Sequence, residues 1–164
     1  MKIEREIQQH IHKNGWNLNY DGNTATNIFG TEYNVTIQDT KGYFDLSNVQ
    51  LRKKEITIKD ACEFHQDVFN AEVGAEYMAY ELAHEVAHTE TYAIHSALAI
   101  GILGLGLVKT IQSKDPKTFL KWSSSALLAT FLLSEVTAEV GAHFIHGAKI
   151  EGDFDLYKTL LDLL

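Results

Sequence analysis

The chain reads as an α+β fold, a small antiparallel sheet near the N-terminus followed by a helical region. Three observations predict this. Residues 16–59 carry short stretches that alternate apolar and polar with period two, separated by turn residues. After Lys59 the apolar period becomes helical, and Pro116 is the only proline. A length of 164 residues and a hydrophobic content of 45% suit one domain, spanning 1–164, with a core of its own.

In chain order, Ile3–Lys13 is an amphipathic helix ended near Asn14-Gly15. Trp16–Tyr20, Tyr33–Ile37 and Glu55–Lys59 alternate as strands. Asp21-Gly22, Asp39–Gly42 and Arg52–Lys54 supply the turns, which makes a mostly antiparallel sheet. Asp60, with Glu63 three residues on, suits a capping box at the start of a short helix over 60–69. Asn70 is placed to cap a second helix, Ala71–Thr91, and after a bend near Thr91 an apolar helix runs over Ala93–Gln112. Beyond the Ser113–Pro116 turn, Lys117–His146 forms a long helix stopped by Gly147, and Asp155–Leu164 a short tail helix. The apolar run Ala97–Val108 is short of the roughly 20 residues of a membrane span, so it reads as a buried core helix. The alternative is a membrane-dipping hairpin made with Ala126–Leu133, its glycines allowing close helix approach.

Charge and cysteine usage narrow the function. A net charge of -8 disfavours nucleic acid, whose phosphates want Lys and Arg, and disfavours docking on anionic lipid by charge alone. Cys62 is the single cysteine, so neither an intrachain disulfide nor a multi-cysteine zinc site is available. The polar start Met1–Glu6 does not read as a signal peptide, and the expected address is the cytoplasm, with membrane association as the alternative.

The chemistry concentrates in His84-Glu85-Val86-Ala87-His88, an H-E-x-x-H in a stretch without Gly or Pro from Ala75 to Ile100. On a helix both imidazoles fall on one face, one turn apart, where they can share one Zn²⁺ per chain, and Glu85 is placed to act as general base on water. A third ligand must come from elsewhere. The H-E-x-x-H-x-x-G-x-x-H pattern is absent, because Thr91 and Ile94 stand at the Gly and His positions; His95 is one residue late. On the long later helix Glu135, Glu139, His143 and His146 recur along one face, with no Lys or Arg from Trp122 to Ala148 to pair with them.

H-E-x-x-H, then an apolar connection, then Glu135-Val136-Thr137-Ala138-Glu139 resembles the gluzincin metallopeptidases, with the CaaX-prenyl-protease and heat-shock membrane-protease type the closest pattern. The resemblance covers roughly residues 70–146. It implies a zincin-like helical domain with its metal site between the H-E-x-x-H helix and the long later one, His84, His88 and Glu135 as ligands, Glu85 as catalytic base, and Glu139 as an outer acceptor orienting a ligand histidine. Glu139 stands where that family usually has Asp, so an exchange of roles between Glu135 and Glu139 stays open. An oxyanion donor is also needed; His143 is the first candidate, with His146, Tyr77, Tyr80 and Tyr92 behind it. The substrate is expected to be an extended peptide or protein segment added to a sheet edge, along Glu55–Lys59.

Two other readings stay open. Glu81-Leu82-Ala83-His84 and Glu85–His88 are both E-x-x-H, the element of di-iron carboxylate bundles, although a partner E-x-x-H is missing. The other is a catalytically silent gluzincin-like domain that binds metal or a partner protein.

Overall fold

The computed structural model describes residues 2–43, 45–63, 66–67 and 72–149. Helix α1 (Lys2–Lys13) sets Ile7 and Ile11 one turn apart, both 1% exposed, and ends where Gly15 takes a φ of 65°. Five strands follow: β1 (Asn19–Tyr20), β2 (Thr24–Thr26), β3 (Glu32–Gln38), β4 (Asn48–Gln50) and β5 (Glu55–Lys59). They form one sheet in the order β1-β2-β3-β5-β4. The Asp21 carboxylate closes the first turn by accepting from the amides of Asn23 and Thr24.

The α+β class holds, with differences in the strands. The stretch expected as Trp16–Tyr20 pairs only over Asn19–Tyr20, because Trp16 and Leu18 turn into the core instead of a ladder. β2 and β4 are three residues each, too short to show a period in sequence. β3 and β5 pair in parallel, with Val35 opposite Ile56 and Ile37 opposite Ile58, while the other three pairings are antiparallel. β5 therefore lies inside the sheet, between β3 and β4, and the expected addition of a substrate strand along Glu55–Lys59 does not hold: both of its edges are already hydrogen-bonded.

Helix α2 (Ala75–Ser113) is continuous over 39 residues, where two successive helices were expected. It starts later than expected, after Gly74, whose φ of 146° suits glycine and whose amide donates to Asp60 Oδ1. Asn70 and most of the short helix expected at 60–69 fall outside the described residues. Helix α3 (Pro116–Phe144) has Pro at its first position and the Asp115 carboxylate accepting from the Lys117 amide. It stops at Phe144, short of the expected His146. Gly147 (φ 69°) reverses the chain and the Ala148 amide returns to the Ala142 carbonyl. The tail helix expected at 155–164 lies outside the described residues.

The chain divides into two compact units, Met1–Glu90 with Ala138–Leu164, and Thr91–Thr137. In the first, one sheet face (Tyr20, Ala25, Tyr33, Ile56, Ile58) packs with α1 and with Met78, Ala79, Leu82, Ala83 and Val86 of α2. The second is an antiparallel helical hairpin whose arms meet at Gly106 and Trp122 and, near the open end, at His95 and Thr137. The reading of Ala97–Val108 as a buried core helix fails here. Ile100 is 71% exposed and Leu105 58%, because the second arm covers only one narrow side of the first.

Candidate metal centre

Small side chains bring two helices of the first unit close together. Ala79, Ala83 and Ala87 recur once per turn of α2, and Ala138 and Ala142 flank Gly141 on α3; all five alanines are fully buried. A Cβ built on Gly141 would stand 2.8 Å from the Ala87 Cβ. Only glycine permits this approach, and it lies one residue from His88.

The close approach lets polar groups meet across the helices. The Tyr80 hydroxyl donates to Glu139 Oε1, and Glu139 Oε2 lies 3.2 Å from His84 Nδ1. With its proton on Nδ1 and directed at that carboxylate, His84 keeps Nε2 as a lone-pair donor, the usual way an outer carboxylate fixes a ligand tautomer. Glu139, 7% exposed, is thereby occupied. Of the two acids the sequence left open, Glu135 is the one that joins the histidines.

Glu135 stands one turn before Glu139 on the same unbroken helix, so its position follows from that of Glu139. His84, His88 and Glu135 are half-buried, and each offers one ligand atom with all three atoms within 4.8 Å of one another. The His84 and His88 rings meet edge-on with centroids 4.7 Å apart. Two imidazoles and a carboxylate are a donor set of catalytic zinc, and ligand atoms this close together could hold one metal ion. Glu85, 6% exposed, lies between the histidines in sequence and about a quarter turn from His84 around the helix.

The remaining candidates separate. His143 is exposed, and its ring contacts Phe144 with centroids 4.9 Å apart. His146 does not continue the Glu135–Glu139 face, since the helix ends before it. Only 1% exposed, it pairs with Glu90 Oε2 at 3.2 Å and lies 2.9 Å from the Asn17 carbonyl oxygen, which removes it as an oxyanion donor. Tyr77 donates to Glu81 Oε1 at 2.8 Å and Tyr80 to Glu139, while Tyr92 is 55% exposed. His95 is bound to the Thr137 hydroxyl at 2.6 Å and takes no part in the cluster. Among the described residues no second His/Glu cluster with metal-ligand spacing accompanies the first, as a di-iron site would need.

Glu90 is the group that sequence reasoning missed. Its Oε1 accepts from the Ile28 amide at 3.0 Å while Oε2 holds His146, so one carboxylate ties α2 to the sheet loop and to the turn after α3. Burial alone would lower the His146 pKa. The hydrogen bonds to Glu90 and to the Asn17 carbonyl, with the Glu90 charge, outweigh burial and raise it above its ordinary 6.5. The one signal available was that no Lys or Arg occurs between Lys59 and Lys109, so a buried acid in that stretch has no local Lys or Arg to pair with.

Comparison with family profiles, with curated proteins and with solved structures finds no match for this chain.

Proposed function

We propose that this protein is a zinc-dependent metallopeptidase. The observation that carries the reading is the convergence of His84, His88 and Glu135, with Glu139 behind His84 and Glu85 in the same helical turn. A zinc ion held there supplies Lewis acidity that activates water and polarises a peptide carbonyl. The chain's own residues do the rest. Glu139, braced by Tyr80, holds the His84 ring in one tautomer and one orientation. Glu85 takes the proton from the attacking water and returns it to the leaving amine, and its low exposure suits a carboxylate working away from bulk solvent.

Zinc content and the Glu85→Gln variant test this reading together. The expected result is one zinc per chain in both proteins, slow cleavage of an unstructured protein by wild type, and loss of at least 10²-fold of that rate in the variant. Equal rates at equal zinc content would reject proteolysis and leave a catalytically silent metal-binding domain. Two irons per chain would reject the zinc site itself.

A further inference from the structure

We infer that the Thr91–Thr137 hairpin is embedded in a lipid bilayer. Sixteen of the twenty-three exposed large hydrophobic residues among those described fall in this unit. In the most apolar 18-residue stretch of α2 only 11% of residues are buried, which a soluble core helix would not show, and its mid-chain position is not that of a signal sequence.

The hairpin is packed inside out relative to a protein in water. Its seam is small and carries one interhelical hydrogen bond: Gly106, where a Cβ would meet Trp122 at 2.8 Å, the fully buried Ala126, and the His95–Thr137 pair. Its outside is mostly Leu, Ile, Val and Phe, with Ser124 and Ser125 also exposed on the second arm. Helices associate in this way in lipid, where apolar surface gives no driving force and close approach with interhelical hydrogen bonds supplies it. On the first arm Tyr92, Leu107, Ile100, Val108, Ile94 and Leu98 follow one another around about two thirds of the circumference. A second copy docked on one face would leave most of that surface in water; acyl chains cover all of it.

Length and end groups agree. Thr91–Ser113 is about 34 Å of helix and Pro116–Thr137 about 33 Å, against a hydrocarbon thickness of about 30 Å. No acid occurs between Glu90 and Asp115 or between Asp115 and Glu135. The four lysines of the hairpin, Lys109, Lys114, Lys117 and Lys121, gather at its closed end beside Trp122, where long cationic side chains and an indole reach a headgroup layer. Tyr92 marks the open end.

The test is flotation of the full-length protein, reconstituted from detergent into phosphatidylcholine vesicles with one fifth phosphatidylglycerol. Wild type and Glu85→Gln are both expected to float and to stay with the vesicles in 1 M salt, whatever their hydrolytic activity. In a Trp16→Phe background, brominated lipids are expected to quench Trp122, with shallow bromines more effective than deep ones. Lysine at Ile100 and Leu127, the most exposed mid-arm positions at 71% and 69%, is expected to cut the floating fraction at least tenfold while the sheet unit keeps its native circular dichroism. A wild-type protein that remains unfloated as a monodisperse dimer in detergent-free buffer would overturn the inference in favour of a second copy. Salt-released binding without Trp122 quenching would also overturn it, as surface adsorption only.

Discussion

Substituting Gly141 by alanine tests whether the helix approach builds the metal site. The added Cβ would lie 2.8 Å from the Ala87 Cβ, where ordinary carbon contacts need about 3.5–4.0 Å. Neither atom can rotate away, since each is fixed to its backbone, so the helices must part by roughly 1 Å. That displacement takes the 3.2 Å contact between His84 and Glu139 to about 4 Å, beyond hydrogen-bond reach. Overpacking of this kind costs about 1–3 kcal/mol, while replacing a helical glycine by alanine returns up to about 1 kcal/mol. Stability is therefore a blunt readout. Metal affinity is the sharp one: loss of the carboxylate behind a ligand histidine weakens binding about 10–100-fold. The assay is competition for zinc against a chelator of known affinity, with circular dichroism as the check on folding. The decisive control exchanges the two residues: Ala87→Gly with Gly141→Ala removes the opposing Cβ and is expected to recover most of the affinity, a coupling that only contacting residues show. Wild-type affinity in the single variant, or failure of a folded exchange variant to recover, would refute the argument.

Glu139→Gln is expected to weaken zinc binding by a similar 10–100-fold in the same competition assay, with the fold intact; no change would remove Glu139 from the centre. His146→Leu leaves Glu90 buried without its cation and is expected to destabilise the metal-free protein by about 3–5 kcal/mol, read from denaturant midpoints. The pH dependence has a definite sign. Because the folded-state pKa of His146 is raised, its contribution is fully present below about 6.5 and is lost as pH rises through the higher folded value. The metal-free midpoint should fall across that window in wild type and flatten in Glu90→Gln; a midpoint that rises there instead would contradict the pairing. Zinc should follow the opposite course, leaving as pH falls and protons compete for the ligand imidazoles, and staying bound at higher pH.

Much of the site was legible from local spacing. An H-E-x-x-H on a helix fixes two imidazoles on one face whatever surrounds them, and Glu135 and Glu139 share a face of α3 for the same reason. Spacing along one helix says nothing about which of two acids a turn apart faces another helix. That choice was made by Gly141 against Ala87 and by Tyr80, which set Glu139 behind His84 and left Glu135 to join the histidines. His146 looked equivalent to His143 because a helical period was extended past the true end of α3; the Glu90 and Asn17 contacts that hold it are distant in sequence.

The sequence by itself determined the α+β class, the helix carrying the histidines and the apolar character of the hairpin, because these follow from residue periodicities of 2 and 3.6 and from composition. The tertiary structure alone decided that β5 lies inside the sheet, that Glu90 and His146 form a buried pair, and that the hairpin's apolar side chains face outward. Each of these depends on contacts between residues far apart along the chain, or on the absence of cover, and neither leaves a local period to read.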